Sequence, residues 1–401
     1  MPKQIKDPVH GYIEVPDELL PLLDTAIVQR LHYIRQLGFS YLVYPGANHT
    51  RFEHSLGAMH LAGLVCKNIR LPADETRLVS AAALLHDIGH GPYSHASERL
   101  RTGFGEFSHD NILPFLSEIK PILAELGTDP KELADIVSGS HPLASIIHGD
   151  LDVDRMDYLL RDAHYTGVPY GTLDAGRLIQ SLVMDEKCGL VLKESGTPAA
   201  ESLLIARTLM GPSVYYHHVG RIAEEMFLAA GRRHFTRETI GEFMRMDDAS
   251  GTMLLLSSPS AVTRELMNRI KTRRLYKRAV YVGGDLLDIR RITHMRETER
   301  ERLRMEIAET AGVEESQVIL DIPPLRKEMH MHVSVQVLHD LVPFEEIVPL
   351  LTLMNKTRQG QWRLGVYTVP ENREKVGLAA QDVLGIAKPT KQHKLSELII
   401  E

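Results

Sequence analysis

Leu84-Leu85-His86-Asp87-Ile88-Gly89-His90-Gly91-Pro92-Tyr93-Ser94-His95 is the stretch on which the reading of this chain turns. The Ala- and Leu-rich run from Leu78 to Leu85 spells a buried helix. That helix ends on an adjacent His86 and Asp87, and the chain then turns through Gly89, Gly91 and Pro92. Ionisable groups beside an apolar core are costly unless something satisfies them together. A metal ion with an anionic substrate would satisfy all of them.

Histidine usage outside this stretch points the same way. The chain has 20 histidines, and His49, His54, His60, His86, His90, His95 and His109 fall within one short window. Such crowding suits metal or acid–base chemistry better than a scatter of surface imidazoles. The two cysteines, Cys66 and Cys188, form no CxxC pattern, which fits a reducing compartment and excludes a cysteine-based zinc module. With 401 residues, 43% hydrophobic and 25% charged, the chain suits a globular protein with one large core and an appended domain. The sequence shows neither a membrane-spanning run nor a signal-peptide apolar region, so a cytoplasmic location is expected. A net charge of -7 argues against nucleic acid as a partner. The basic run Lys271-Thr272-Arg273-Arg274 reads as a solvated helix end.

Upstream of the decisive stretch, residues 3–15 read as a hairpin, with turn signals at Asp7-Pro8 and Gly11. Thr50–Ile69 reads as a helix on which His54, Ala58, Leu61 and Val65 share a face, so His54 points inward. A lone inward histidine is more often a satisfied core residue. Arg51, one turn back on nearly the same face, suggests a phosphate pocket. Downstream, residues 111–148 give helices broken at Pro121, Asp129-Pro130 and Pro142. On the helix that follows Gly149, Asp154, Tyr158, Arg161 and Asp162 share one face and Met156, Leu159 and Leu160 fill another. That acidic density, with no lysine to relieve it, admits either a solvated face or a cation site.

Residues 187–193 read as a strand of a small hairpin, and Pro198–Phe235 as one long helix carrying Arg207 and Tyr215-Tyr216-His217-His218. Arg207 and Tyr215 can face one way, as a substrate wall or as an ordinary packing surface. From about residue 277 the order becomes βαββαβ plus a helix, with strands near 279–282, 317–322, 330–337 and 361–369. His330 and His332 share a strand face and are taken as a surface pair. The fold expectation is therefore mainly α: a helical bundle over 1–275, with a small hairpin near 187–199, and a C-terminal α+β domain of split βαβ, ferredoxin-like type over 276–401.

Taken together, His54, His86-Asp87 and Asp154 give the H…HD…D pattern of the HD superfamily of metal-dependent phosphohydrolases. The strings Asp7-Pro8-Val9-His10-Gly11, Gln29-Arg30-Leu31, Arg51-Phe52-Glu53-His54-Ser55, His86 to His95 and Asp152-Val153-Asp154-Arg155-Met156-Asp157-Tyr158 resemble the deoxynucleoside triphosphate triphosphohydrolases, which are dGTPase-like. The resemblance runs from about residue 3 to residue 235. It implies one divalent metal, iron, manganese, zinc or magnesium, held by His54, His86, Asp87 and Asp154. It implies catalytic roles for His90, His95 and His109, with Glu98 standing where the family often has Asp. Substrate contacts are implied for Arg51, Asp152, Arg155, Tyr158, Asp162, Arg207, Tyr215, His217 and His218. Arg155 and His218 occupy positions where the family has Lys.

The implied reaction is hydrolysis of a dNTP to the deoxynucleoside and inorganic triphosphate. The resemblance also implies a homo-oligomer, dimer or tetramer. A nucleotide-activator site is implied at Lys3, Asp24 and Gln29, where His32 replaces an Arg. Two other readings compete with this one. One is an HD phosphohydrolase acting on nucleoside monophosphates, cyclic nucleotides or ribonucleotides; the other is a nucleotide- or nucleic-acid-binding regulator with a vestigial site.

Overall fold

The computed structural model describes residues 3–105, 107–185, 189–325 and 328–386. The helix Arg51–Ile69 runs through the middle of the larger core. Thr50 and Glu53 form a capping box at its start, with the Glu53 carboxylate accepting from the Thr50 amide at 2.6 Å. Arg70 closes it in the left-handed conformation. Apolar residues lie on most of its sides because other helices cover it: Ala73–Leu85 packs along one flank and Val153–Thr166 along another. That second helix begins on Asp152, which caps it by accepting from the Arg155 amide at 2.8 Å, and ends at Gly167.

The expected hairpin of residues 3–15 is present, with β1 (Lys3–Asp7) antiparallel to β2 (Gly11–Val15). The segment read as one helix from Pro198 to Phe235 is two, Thr197–Met210 and His218–His234. Between them Gly211–Tyr215 forms a π-turn. Pro212 supplies the reason, since a proline within a helix removes a donor and displaces the preceding turn.

A second hairpin joins β3 (Leu182–Asp185) to β4 (Gly189–Lys193). Lys187 and Cys188, part of the strand expected there, lie outside the described residues. Next to β4 lies β7 (Ser334–Val337), parallel to it with Leu192 opposite Val335, and β8 (Asp340–Pro343) pairs with β7. The period-two segment ending at Val337 therefore extends a sheet begun at Leu182, about 150 residues earlier. It does not join the C-terminal α+β unit, where the sequence pattern placed it.

That unit is a three-strand sheet of order β5 (Lys277–Gly283), β9 (Arg363–Thr368), β6 (Val318–Asp321). Because β9 is antiparallel to both neighbours, β5 and β6 are parallel with β9 between them, and the helix Glu297–Ala311 connects them. This is the split βαβ arrangement, built here with three strands. Arg373–Val383 packs beside Glu297–Ala311. The helix expected near 343–356 breaks in two at Val348-Pro349, where Val348 adopts φ -117°, as a residue before proline tends to. Among the described residues, no helix is long and apolar enough to cross a membrane.

Candidate metal centre and active site

Four side chains, two from helices and two from the turn that ends a third, meet at the floor of the site. The His54 Nε2 atom lies 3.2 Å from His86 Nε2, 3.0 Å from Asp154 Oδ1 and 3.7 Å from Asp87 Oδ2. His86 Nε2 lies 3.5 Å from Asp87 Oδ1 and 3.8 Å from Asp154 Oδ1. Two ligand atoms each about 2.1 Å from one ion and at right angles to each other would be about 3 Å apart. The cluster therefore has the dimensions of one coordination sphere.

The outer nitrogens make the fit chemical as well as geometric. His54 Nδ1 is 2.7 Å from Asp157 Oδ2, and His86 Nδ1 is 2.7 Å from the Ala83 carbonyl oxygen. Each acceptor holds its ring with the proton on Nδ1 and the Nε2 lone pair facing inward. Burial pushes the His54 imidazole down, but the Asp154 and Asp157 carboxylates outweigh it and raise its pKa to about 10. The cage thus attracts positive charge strongly. Two imidazoles and carboxylates suit a divalent cation.

Behind the cage lies a buried network that the sequence reading did not assign. Asp157 accepts from Arg161 Nε and Nη2, both at 2.9 Å, and meets His10 Nε2 at 2.6 Å. Arg161 also donates to Asp7 at 2.7 Å. The sequence pattern places Arg161 on a face that is either solvated or a cation site; in the structure its side chain is fully buried. The signal was available: Asp157 and Arg161 are an i,i+4 ion pair embedded among Met156, Leu159 and Leu160.

Asp87 belongs to a second arrangement. Arg51 donates to it from Nη1 at 2.6 Å and to the Ser94 hydroxyl from Nε at 2.8 Å. Arg51 Nη2 is buried with no hydrogen-bond partner among the described residues. An unpartnered buried guanidinium nitrogen on a cavity wall is suited to an anion. Ser94 is fixed in turn, since its hydroxyl donates to the Arg35 carbonyl at 2.6 Å. Tyr93 and Ser94 both adopt positive φ, 61° and 56°, and Asp248 holds the turn by accepting from the Tyr93 amide at 2.8 Å. Arg30 braces the loop from below, donating to the carbonyls of Ile88 at 2.7 Å and His90 at 2.9 Å.

Three histidines form the opposite side. The rings of His90 and His109 stack at 4.0 Å, and His95 sits edge-on to both. Glu98 joins two of them, with one oxygen 2.8 Å from His109 Nδ1 and the other 3.2 Å from His95 Nδ1. Burial opposes charging His109, yet the hydrogen bond and charge of Glu98 prevail and its pKa is raised. His90 goes the other way: burial first, and then the Arg51 charge, depress it well below the usual range. The trio thus divides into a neutral and a readily protonated member. Gly89 permits the close approach, because a Cβ there would lie 2.2 Å from the His109 carbonyl oxygen.

Cage and trio open into one cavity of about 520 Å³. Its far wall carries Tyr158, Asp162 and Tyr215, and the Tyr215 hydroxyl donates to Asp162 at 2.8 Å. Asp162 is held from behind by His49 at 2.7 Å. Arg155 and Arg207 line an adjoining depression instead. Asp152 is taken up by its capping role and by Arg155 Nη1 at 2.5 Å. His217 and His218 stack on each other at 4.4 Å and do not line the cavity. Burial and the nearby Arg278 lower both, His218 to about 4. Of the residues assigned to an activator, Lys3 and Asp24 are exposed, Gln29 donates to the Leu23 carbonyl at 2.9 Å, and His32 stacks on Phe52 at 3.6 Å.

Residues 51–162 match the HD domain, and residues 173–395 match the HD associated region. The chain belongs to the HD-domain phosphohydrolase family. An uncharacterized protein of Methanocaldococcus jannaschii is 33% identical over 92% of this chain and 80% of its own length. A deoxynucleoside triphosphate triphosphohydrolase SAMHD1 homolog of Dictyostelium discoideum is 30% identical over 69% of this chain, which spans 59% of that protein. The crystal structure of a phosphohydrolase from Bacteroides thetaiotaomicron superposes with a TM-score of 0.74 at 25% identity, covering 92% of this chain and 99% of that one. HD domains bind divalent metals, and His54, His86 and Asp87 of this one lie close enough together to hold one.

Proposed function

We propose that this HD-domain protein hydrolyses deoxynucleoside triphosphates to the deoxynucleoside and inorganic triphosphate. The observation that carries the reading is the placement of the cage, the unpartnered Arg51 nitrogen and the protonatable His109 around one cavity. His54, His86, Asp87 and Asp154 hold the metal, which is iron, manganese, zinc or magnesium. When bound, it polarises a phosphoryl oxygen and lowers the pKa of water.

The chain's own residues do the rest. Arg51 binds the phosphate bearing the reacting centre and offsets charge that builds on its oxygens. Water adds to the α-phosphorus, and the bond from that phosphorus to the 5′-oxygen breaks. His109, kept protonatable by Glu98, gives its proton to the leaving 5′-oxygen, with His95 at the cavity mouth as the other candidate donor. His90, neutral and stacked on His109, fixes the donor's ring plane. Tyr158 and Tyr215 pack against the sugar, and the Tyr215–Asp162 hydrogen bond sets a rigid wall where a 2′-hydroxyl would have to fit. The similarity to a protein named as a triphosphohydrolase supports this assignment.

Product analysis tests it. Purified protein with Mn²⁺ and a panel of dNTPs and NTPs is expected to release inorganic triphosphate and deoxynucleoside. Release of orthophosphate or pyrophosphate, or turnover of monophosphates or cyclic nucleotides alone, would assign a different HD phosphohydrolase activity. A nucleotide activator at Lys3, Asp24 and Gln29 in a homo-oligomer is part of the same proposal. Rates that are unchanged by a second dNTP would remove the activator.

A further inference from the structure

Asp7-Pro8-Val9-His10-Gly11 joins β1 to β2, far in sequence from the residues of the cage. Its residue types fit a hairpin turn. Proline suits the first corner, and the Asp7 carboxylate closes the turn: Oδ1 accepts from the Val9 amide at 2.9 Å and the His10 amide at 2.8 Å. Gly11 takes φ 80°, and a Cβ on it would touch nothing, so the glycine serves the reversal of the chain and not a close approach. The turn alone does not call for a histidine at position 10.

The side chains of this turn reach the helix Val153–Thr166. Asp7 Oδ2 accepts from Arg161 Nη1 at 2.7 Å, and His10 Nε2 lies 2.6 Å from Asp157 Oδ1. The His10 side chain is 8% exposed, and those of Asp157 and Arg161 are fully buried. Each oxygen of Asp157 carries two donors. Oδ1 takes His10 Nε2 and, at 2.9 Å, Arg161 Nη2. Oδ2 takes Arg161 Nε at 2.9 Å and His54 Nδ1 at 2.7 Å. An ionised carboxylate only accepts, so each histidine holds the proton of its bond. Arg161 sits on the same helix as Asp157 and moves with it. The hairpin supplies the restraint from outside that helix, through Asp7 to Arg161 and through His10 to Asp157. Without His10, Oδ1 loses one of its two donors in a place where no bulk water can replace it.

We propose that this turn is a remote part of the metal centre, with His10 as a positioning residue that acts through Asp157 to keep the His54 ring oriented with Nε2 toward the metal. A ring fixed before the metal arrives needs less ordering on binding, so the hairpin adds to metal affinity without supplying a ligand. The role given to His10 rests on His54 as a metal ligand, as in the proposed function, and is independent of which nucleotide is hydrolysed.

The full chain, stripped of metal with a chelator, is titrated with Co²⁺ by calorimetry and visible absorption, well below the unfolding midpoint of each variant. His10→Ala is expected to weaken Co²⁺ binding about 10- to 100-fold and to alter the absorption band of bound Co²⁺. His10→Gln, whose amide nitrogen can take the place of Nε2, is expected to recover most of the affinity. Ile13→Ala removes a buried apolar side chain from the same hairpin; it should lower the unfolding midpoint while Co²⁺ affinity stays within about twofold of wild type. Should His10→Ala fail to fold, His10→Asn, whose shorter amide falls short of Asp157, takes its place. Wild-type affinity in His10→Ala, equal losses for His10→Gln and His10→Ala, or an equal loss in Ile13→Ala would overturn the positioning role. His54→Ala separates the two assignments. If it keeps wild-type Co²⁺ affinity, the metal assignment falls and the role of His10 with it. If it loses Co²⁺ while His10→Ala does not, only the role of His10 falls. If Co²⁺ affinity depends on His10 and the wild-type protein hydrolyses no dNTP, the positioning role stands and only the substrate assignment falls.

Discussion

His109 lines the cavity while His54 is buried beneath its floor, and the atoms around them give them different duties. His54 has its Nδ1 on Asp157 and its Nε2 turned to the cage. His109 has its Nδ1 on Glu98 and stands with His90 and His95. His54→Ala and Asp87→Ala should therefore lose bound metal and turnover together, as measured by elemental analysis and rate. His109→Ala should keep its metal and lose about 10²- to 10⁴-fold in rate. The pH profile distinguishes acid from mere contact. Glu98 raises the His109 pKa, so the protonated donor persists to higher pH and activity falls as pH rises through that pKa. Glu98→Gln removes the charge, and the alkaline limb of kcat should move to lower pH. A limb that stays in place would assign the proton to another group.

At the scale of elements, the cage depends on how closely two helices approach. Gly57 on the Arg51–Ile69 helix faces Asp157 and Arg161, and a Cβ there would lie 1.8 Å from Asp157 Oδ1 and 2.5 Å from Arg161 Nη2. In an open helix, Gly→Ala stabilises by about 1 kcal/mol. Here the carboxylate cannot swing aside, because His10, His54 and Arg161 all hold it. Gly57→Ala should instead lower the denaturation midpoint and reduce metal affinity about 10- to 100-fold, since Asp157 orients a cage histidine. Equilibrium unfolding and metal titration check both. Elements of this kind were partly legible. The inward face of the Thr50–Ile69 helix and the stop at His86-Asp87 follow from local spacing. Pro212 in the stretch read as one helix marked the π-turn, but apolar periodicity on both sides concealed it. The burial of Arg161 was legible only in its i,i+4 pairing with Asp157; its second partner, Asp7, lies on a hairpin more than 150 residues away and left no local mark.

At the scale of the molecule, what local patterns cannot give is partnership between distant segments. Period-two alternation identified a strand ending at Val337 but carried no information that it would lie parallel to β4. The same limit hid the ionic cluster that joins the histidine helix to the C-terminal sheet. Arg99, the residue after Glu98, donates to Glu224 at 2.6 Å and Glu225 at 2.7 Å. Arg221 reaches Glu225 at 3.2 Å and also pairs with Asp321 on β6. Tyr367 on β9 donates to the same Asp321 at 3.0 Å. Three regions of the chain thus share one mostly buried set of charges, with Arg221 at its centre. Arg221→Gln leaves Asp321 and Glu225 without their shared cation and should cost about 3–5 kcal/mol, read from denaturant unfolding. Adding Asp321→Asn removes one stranded carboxylate, so the double variant should recover part of the loss, and the cycle should show a coupling of about 0.5–3 kcal/mol. Additive losses would mean that the C-terminal sheet is attached by its apolar contacts alone. Coupling would mean that its position is set by the same charges that fix the helix bearing His95 and Glu98.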